Sequence, residues 1–360
     1  MKILVISNDS GGLYAFRKEL LSALCAAHEV IVATPFDASL DGLSALGCRL
    51  IETKMERRGM NPAKDLVLLQ TYQRIMRDER PDLVITYTIK PNIYGGLAAQ
   101  TLKIPYAANI TGLGTAFQKQ GGVRRMIETM YRSALRKAKV VFFENTGNRD
   151  TLVDLKIVKP EQCRCLNGAG VNLDHFQLTE YPAEQMHTRF LFIGRIMREK
   201  GADELFWAMR QLRKEGVLCS LDVVGSFEEN YKAQLDEYQK ENLLRYHGFQ
   251  KDVRPFIANA HCFVLPSWHE GMANTLLESA AMGRPLITSD IHGCMEAVNA
   301  EKSGYLFPVK DREQLLQTMI RFCLLPYEQK RSMGEASHRH VALHFDKRNV
   351  VSDTIRYLFE

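Results

Sequence analysis

Short apolar runs rich in β-branched residues alternate, in the first half of the chain, with longer segments whose apolar residues recur every three or four positions. The short runs have the composition of strands and span Lys2–Ser7, Glu29–Thr34, Cys48–Thr53, Asp82–Tyr87, Pro105–Thr111 and Lys139–Asn145. The longer segments have the period of amphipathic helices and span Leu13–Ala26, Ala63–Glu79, Asn92–Leu102 and Val123–Ala138. Strands that alternate with helices predict βαβ units and a parallel sheet.

The same pattern starts again after the glycine-rich turn at residues 167–170 and the polar stretch at residues 178–188. The second set of strand-like runs spans Arg189–Ile193, Ser220–Val224, Cys262–Pro266 and Pro285–Ser289. The intervening helical segments span Ala202–Glu215, Glu228–Glu241, Val253–Ala260, Asn274–Met282 and Asp311–Cys323. The fold class predicted is therefore α/β, with two doubly wound, Rossmann-like domains that face each other across a cleft. Ligands of such domains bind at the carboxyl ends of the strands.

The composition is that of an ordinary folded protein, because 46% of the 360 residues are hydrophobic and 25% are charged. It excludes a disordered chain and a fibrous one. No apolar run approaches the ~20 residues that cross a bilayer, and the start of the chain has no secretory pattern. We therefore expect a cytoplasmic protein whose eight scattered cysteines are reduced. Only Cys163 and Cys165 are closely spaced, so we expect no metal site.

The charge is unevenly distributed between the two halves. Residues 1–169 hold 24 Lys and Arg against 16 Asp and Glu, whereas the rest of the chain holds 23 against 26. A basic first half suggests an anionic partner, which could be nucleic acid, a membrane surface or a phosphorylated substrate. No nucleic-acid-binding motif and no aromatic stacking platform accompany the charge, so we do not expect nucleic-acid binding.

The loop after the first predicted strand contains Gly11 and Gly12. Two glycines there could let backbone N–H groups approach a phosphate at the start of the following helix, or could simply form a tight turn. The loop is not Gly-x-Gly-x-x-Gly, which disfavours a dinucleotide site of the dehydrogenase type.

The second half carries the denser chemistry. Arg195 and Lys200 lie five residues apart after the strand Arg189–Ile193, where they could clamp a diphosphate or could be two solvated cations. Glu270 and Glu278 follow the strand Cys262–Pro266 with seven residues between them. Carboxylates accept hydrogen bonds from vicinal sugar hydroxyls, and the N–H groups of residues 271–275 would form an anion site where the helix starts.

With these motifs the sequence resembles the retaining glycosyltransferases of family 4. The marks of the resemblance are Glu270 and Glu278, Gly-Arg-x-x-x-x-Lys-Gly at residues 194–201, the Gly11-Gly12 loop, and residues 289–296 before Gly304. The resemblance covers the whole chain and implies the GT-B fold. It implies an acceptor domain at residues 1–168 and a nucleotide-sugar domain at residues 169–345. It also implies that the last helix, within residues 346–360, packs back on the first domain.

The resemblance also assigns roles to individual residues. Arg195 and Lys200 would bind the diphosphate, Glu278 the ribose hydroxyls and Glu270 the donor sugar, so that Glu270, Arg195 and Lys200 form the catalytic set. The other donor-binding residues implied are Gly11, Gly12, Gly194, Gly271, Met272, Ala273, Asn274, Thr275, and Gly248 and Phe249 at the base. His269 and His292 could act as general bases or as structural hydrogen-bonding partners. No metal or other cofactor is expected, since no Asp-x-Asp motif occurs.

One departure from the family concerns the acceptor side. Many members carry a cleft histidine after the fifth strand, whereas here residues 108–114 read Ala-Asn-Ile-Thr-Gly-Leu-Gly. This form resembles the subgroup that builds bacterial surface glycans on polyprenyl diphosphate carriers, and residues 87–95 point the same way. The acceptor-side residues implied are Thr111, Gly112, Asn92 and Lys90.

The segment Lys119–Lys139 is basic and has an apolar stripe at helical spacing. Its helix could lie on an anionic membrane surface, with Arg124, Arg125 and Arg132 facing the lipid, or could be a normal helix packed on the sheet. The cations at residues 54, 57, 58 and 64 would extend the same patch. We therefore expect the protein at the inner face of the cytoplasmic membrane.

The predicted function is retaining transfer of an N-acetylhexosamine or hexose from a UDP-sugar to a polyprenyl-diphosphate-linked saccharide, in the assembly of O-antigen, capsule or glycoprotein glycans. Two alternatives stay open. A sugar-nucleotide epimerase would use the same diphosphate clamp, and a non-catalytic partner of another glycosyltransferase would share the fold.

Overall fold

The computed structural model describes residues 1–37, 39–55, 61–114, 117 and 121–360. It divides into two compact units, Met1–Ala169 with Arg348–Glu360, and Gly170–Lys347. These bounds differ by one or two residues from the domain limits expected from the sequence. Lys119, Arg57 and Arg58, which were assigned to the basic patch, lie outside the described residues. Within the described ranges, no helix is long and apolar enough to cross a membrane.

The first unit is built on a seven-stranded parallel sheet with the strand order β3-β2-β1-β4-β5-β6-β7. Its strands are β1 (Lys2–Ile6), β2 (Glu29–Thr34), β3 (Arg49–Glu52), β4 (Leu83–Tyr87), β5 (Tyr106–Ile110), β6 (Val140–Phe143) and β7 (Cys163–Cys165). Its helices are α1 (Ser10–Cys25), α2 (Leu40–Ala45), α3 (Pro62–Glu79), α4 (Gly96–Leu102), α5 (Gly122–Leu135) and α6 (Thr146–Asp154), with a π-helical turn at Pro91–Gly95 and a 3-10 turn at Pro160–Gln162.

The second unit has a six-stranded parallel sheet with the order β10-β9-β8-β11-β12-β13. Its strands are β8 (Thr188–Ile193), β9 (Cys219–Val224), β10 (Leu244–Tyr246), β11 (Cys262–Leu265), β12 (Leu286–Ser289) and β13 (Gly304–Phe307). Its helices are α7 (Ala202–Lys214), α8 (Lys232–Lys240), α9 (Arg254–Asn259), α10 (Asn274–Ala281), α11 (Arg312–Cys323) and α12 (Tyr327–His344), with 3-10 turns at Arg198–Lys200 and Met295–Ala297. The predicted fold class of two doubly wound α/β units is confirmed.

Both faces of the first sheet are covered, as the unbroken apolar strands require. Side chains of β1 alternate, so that Leu4 and Ile6 enter one hydrophobic core while Ile3 and Val5 enter the other. The last helix, α13 (Lys347–Phe359), contributes Leu358 to the second of these cores. The carboxyl terminus is therefore anchored on the first unit through apolar burial.

Arg284 is the largest fully buried side chain of the second unit and joins three segments of it. Its guanidinium donates to the carbonyls of Ile257 (2.8 Å), Ala258 (3.0 Å), Glu180 (2.8 Å) and Gly283 (3.1 Å), and to the Thr179 hydroxyl (2.7 Å). Burial lowers the pKa of Arg284 to about 10, but the group remains charged at neutral pH. These bonds tie residues 179–180 and the end of α9 to the start of β12.

We expect Arg284→Met to destabilise the second unit strongly, because each buried carbonyl left without a donor costs roughly 1–3 kcal/mol. Summed over these carbonyls, and after the surrounding structure has relaxed, the free energy of unfolding should fall by on the order of 3 kcal/mol or more. Urea denaturation followed by circular dichroism measures it. Arg321→Met is the control, since Arg321 is exposed, pairs with Glu301 and lies over the Tyr305 ring at the surface. The loss of such exposed contacts should cost about 1 kcal/mol or less.

Candidate active site

The position of the site follows from the strand order of the second unit. The chain adds β9 and β10 on one side of β8, then returns to add β11, β12 and β13 on the other. Ligands of doubly wound sheets bind beside such a reversal, at the carboxyl ends of the strands. Because β8 and β11 are paired in parallel, the loops that follow them lie side by side. These two loops contain Arg195, Lys200 and Glu270.

Lys200 and Glu270 form an ion pair between the two loops, with Lys200 Nζ on Glu270 Oε1. Their side chains are only 19% and 11% exposed. The Ser267 hydroxyl donates to the same Glu270 oxygen at 2.8 Å. The structure thus brings two of the predicted catalytic residues into direct contact, 70 positions apart in the chain, and adds Ser267, which sequence reasoning missed.

The close approach of the two loops depends on Gly201, which follows Lys200. This glycine has φ of +73°, and a Cβ placed on it would lie 2.1 Å from the carbonyl oxygen of Pro266. No other residue fits there without moving the backbone. The glycine that ends the Gly-Arg-x-x-x-x-Lys-Gly pattern therefore sets the distance between the Lys200 and Glu270 loops.

Arg195 lies directly after Gly194, at the end of β8, and its side chain is about half exposed. It pairs with Glu228 Oε2 at 3.3 Å, a partner that the sequence did not indicate. Glu228 lies after β9, the neighbour of β8 in the sheet. An exposed pair of this kind is worth at most about 1 kcal/mol, so Arg195 can exchange Glu228 for a diphosphate at little cost.

Helix α10 starts at Asn274, the residue at which the sequence pattern predicted it. The Ala273 amide donates to the Gly293 carbonyl at 2.8 Å. This corrects the expectation that every amide from Gly271 to Thr275 faces a ligand, because one of them is used within the protein. Met272 and Ala273 are buried, whereas the amides of Asn274 and Thr275 belong to the first helical turn, where intrahelical acceptors are lacking.

Glu278 lies on α10, one helical turn beyond Asn274, and is partly buried. Across the described part of the chain, no hydrogen bond or ion pair reaches its carboxyl group. Burial raises the pKa of Glu278 to about 7, against a smaller opposing effect of the Lys347 charge. A partly buried carboxyl group with no hydrogen-bonding partner and a pKa raised to about 7 is typical of a functional site.

The turn after β10 carries Gly248 and Phe249. The Gly248 carbonyl accepts from the Gly225 amide at 2.8 Å, which fixes the turn to the end of β9. The Phe249 ring is 72% exposed. An exposed aromatic ring at this edge of the sheet could stack on a nucleobase.

Both candidate histidines already have carboxylate partners. His269 Nε2 lies 3.1 Å from Glu199 Oε2, and His292 Nδ1 lies 2.8 Å from Glu296 Oε1. The geometry favours the structural role for each of them, in which the histidine holds its own loop in place.

In the first unit, Gly11 and Gly12 lie inside the first turn of α1 rather than in the preceding loop. Asn92 is 1% exposed; its amide donates to the Asn109 carbonyl (2.8 Å) and accepts from the Thr86 hydroxyl (2.6 Å). It therefore joins β4 to β5 and is not presented to an acceptor, which corrects that prediction.

The other predicted acceptor residues are partly buried. Lys90 pairs with Asp65 at 3.0 Å, at the start of α3. Lys90 follows β4, just as Thr111 and Gly112 follow β5. All three therefore lie at the edge of the sheet where ligands of this fold bind.

Helix α5 buries its apolar stripe against the rest of the first unit, through Ile127, Tyr131 and Leu135. Arg124 pairs with Glu128 at 2.7 Å. Arg132 donates to the carbonyls of Leu155 (2.9 Å) and Lys156 (3.2 Å) after the end of α6, so it caps that helix. The residue is exposed, and its assignment as membrane-facing stays a prediction. Arg125 is exposed, and the described residues give its side chain no such partner.

Family comparisons agree with this arrangement. Residues 11–168 match the glycosyl transferase 4-like domain, and residues 187–324 match the glycosyl transferases group 1 domain. The N,N'-diacetylbacillosaminyl-diphospho-undecaprenol alpha-1,3-N-acetylgalactosaminyltransferase of Campylobacter jejuni is 27% identical, over 99% of this chain and 97% of its own length. The UDP-Gal:alpha-D-GlcNAc-diphosphoundecaprenol alpha-1,3-galactosyltransferase of Escherichia coli is 25% identical, over 73% of this chain and 72% of its own.

The solved structures include HepE from Anabaena in complex with UDP and glucose, which matches with a TM-score of 0.81 over 99% of both chains. At 15% identity this likeness concerns the fold alone. The two tandem domain matches cover most of the chain and agree with the family that the sequence motifs predicted. The chain belongs to the group 1 glycosyltransferases with a family 4-like amino-terminal domain, and it is a glycosyltransferase of the GT-B type.

Proposed function

We propose that this protein transfers an N-acetylhexosamine or hexose from a UDP-sugar to a saccharide on polyprenyl diphosphate, with retention of the anomeric configuration. The observation that carries the proposal is the Lys200–Glu270 pair beside Arg195, with the unpaired Glu278 on the adjoining helix. The Campylobacter and Escherichia relatives are named for diphospho-undecaprenol acceptors, which supports this class of acceptor. The process served would be the assembly of a bacterial surface polysaccharide or a glycoprotein glycan.

The cations of the site suit the charge that develops on the leaving group. When the bond between the anomeric carbon and the phosphate oxygen breaks, negative charge grows on the diphosphate. Arg195 can bind it with a planar pair of donors and Lys200 as a point charge. We propose that these two side chains balance the diphosphate without a divalent cation.

In the same proposal, Glu270 binds the donor sugar through its hydroxyl groups. A carboxylate has about four acceptor positions, so Glu270 can accept from a sugar hydroxyl while Oε1 stays with Ser267. In the front-face path, the acceptor oxygen bonds to the anomeric carbon as the phosphate oxygen leaves. The acceptor proton passes to that departing oxygen, so the protein needs no covalent nucleophile.

The first unit offers a surface that suits a lipid-linked acceptor. A cavity of about 570 Å³ lies beside the start of α3. Its lining combines lysines and apolar side chains around one acid: Lys54, Met55, Ala63, Lys64, Asp65, Val67, Leu68 and Lys90. Leu66 and Val67 on α3 are more than half exposed. Cations and exposed aliphatic side chains together are what a protein needs to bind an anionic bilayer surface.

We expect the double variant Leu66→Glu, Val67→Glu to bind phosphatidylglycerol vesicles at least tenfold more weakly than wild type at low salt. The substitution removes apolar surface that would enter the lipid and adds repelling charge. Vesicle co-sedimentation measures the partition coefficient. Leu324→Glu, at an exposed position of the second unit, should bind like wild type. Equal vesicle binding by all three proteins would contradict the membrane assignment and leave the transferase assignment untouched.

The reaction itself is tested with a panel of UDP-sugars and short polyprenyl-diphosphate saccharides, with EDTA present in one arm. We expect one product mass, the anomeric configuration of the donor retained by NMR, and a rate that EDTA does not change. An inverted linkage would refute the front-face path. Conversion of a UDP-sugar without acceptor would favour the epimerase, and an unchanged product yield for Glu270→Ala would favour a non-catalytic partner.

A further inference from the structure

The segment after β12 carries an acid, Glu296, to which neither the sequence motifs nor the proposed reaction gives a role. Its two carboxylate oxygens have different partners. Oε2 accepts from the Gly293 amide at 2.6 Å, and Oε1 lies 2.8 Å from His292 Nδ1. The Glu296 side chain is only 29% exposed, and both of its partners belong to its own segment, so its position is fixed locally.

Gly293 in turn lies against the loop that carries Glu270. Its carbonyl accepts from the Ala273 amide at 2.8 Å. A Cβ on Gly293 would lie 2.4 Å from the Gly271 carbonyl oxygen and 2.8 Å from Glu270 Cβ. The two backbones are therefore in direct contact, and φ of +88° at Gly293 is a conformation that glycine adopts without strain.

The other side of Glu296 is anchored on helix α12. Its backbone carbonyl lies 2.9 Å from His340 Nε2, while its carboxylate reaches forward to Gly293. A chain of hydrogen bonds thus runs from His340 through Glu296 and Gly293 to Ala273. It ends three residues from Glu270, on the loop that faces the donor sugar in the proposed reaction.

We infer that Glu296 is a positioning residue for the donor sugar, an inference that rests on the proposed function. By holding Gly293, it holds the Gly271–Ala273 backbone and with it the direction of the Glu270 carboxylate. A displacement of about 1 Å in such a group can cost ~100-fold in rate. In the proposed reaction, the nucleotide half of the donor binds Arg195 and Glu278, and Glu296 contacts neither of them. Removal of the Glu296 carboxylate should therefore disturb the sugar half of the donor more than the nucleotide half.

The test compares Glu296→Ala with Glu296→Gln, using UDP and the UDP-sugar that wild type turns over. Alanine should lower kcat/KM for the UDP-sugar by about 30-fold or more, while the Kd for UDP changes by less than about threefold. Glutamine keeps an acceptor for the Gly293 amide and should restore activity to within about fivefold of wild type. Glu301→Ala, which removes an exposed acid of the same segment, is the control and should match wild type.

Unchanged kcat/KM for Glu296→Ala would overturn the inference, as would a loss of UDP affinity equal to the loss of kcat/KM, since that indicates collapse of the whole site. Thermal melting of each variant shows whether the fold is intact. If wild type turns over no UDP-sugar, the proposed function fails and the inference with it. If wild type is active and Glu296→Ala is equally active, only the inference fails.

Discussion

Lys200→Ala is expected to lower kcat for sugar transfer by about 100- to 1,000-fold, the usual effect of removing one group that stabilises charge in the transition state. Two effects add in this variant. The diphosphate loses a cation, and Glu270, which is 11% exposed, is left beside the leaving group without its cationic partner. Steady-state kinetics with saturating acceptor measures kcat and KM separately.

Arg198→Ala is the matched control for this prediction, because Arg198 lies in the same turn but its side chain is 68% exposed. It should keep at least about a third of the activity, whereas a loss as large as that of Lys200→Ala would mean that the whole turn, and not Lys200, is responsible. The double variant Lys200→Ala, Glu270→Gln adds a further check. Since the two residues touch, their effects should be non-additive, and the double variant should lose less than the product of the two single losses.

UDP binding at pH 7 should release a fraction of a proton per site, because burial raises the pKa of the free Glu278 carboxyl to about 7 and leaves it partly protonated at that pH. Ribose hydroxyls donate to the ionised carboxylate and so favour the charged form, which lowers the pKa on binding. Calorimetry in buffers of different ionisation enthalpy measures the protons released. Glu278→Gln should abolish the release and weaken UDP binding by about tenfold or more.

The Glu278 carboxyl also makes the free energy of unfolding depend on pH. Its pKa in the folded protein lies above the usual value of 4.5, so the folded state holds the proton more tightly than the unfolded state. The contribution is present below about pH 4.5 and is lost as the pH rises through about 7. Glu278→Gln should therefore be stabilised relative to wild type at pH 8 but not at pH 4.5. Equal pH dependence of the melting temperature in both proteins would show that Glu278 titrates normally.

The sequence predicted the elements whose apolar pattern is long and regular. Strand β1 and helix α7 both lie close to their expected ranges, because the period of the side chains decides each of them locally. The three-residue strands β7 and β10 have too few residues to show a period. Helix α12 was missed since its outer face is rich in charge, and few of its residues, among them Met333 and Val341, are buried.

For the site, the sequence supplied the residue types and the tertiary structure supplied their partners. The spacing of Glu270 and Glu278 is local, and the resemblance to family 4 gave both a role. Ser267, Glu228 and Glu296 were not foreseen, although each lies in a loop after a predicted strand. Asn92 was assigned wrongly because the sequence does not show which backbone carbonyl a side chain will reach.

The sequence by itself determined the two α/β units, the family and the residues able to bind a diphosphate and sugar hydroxyls, since these follow from local periodicity and from motifs read along the chain. Only the tertiary structure decided that Lys200 meets Glu270, that Glu278 is left unpaired, and that Glu296 holds the Glu270 loop through Gly293. The reason is physical: a side chain's charge and hydrogen bonds depend on what the parallel pairing of distant strands places within about 3 Å of it.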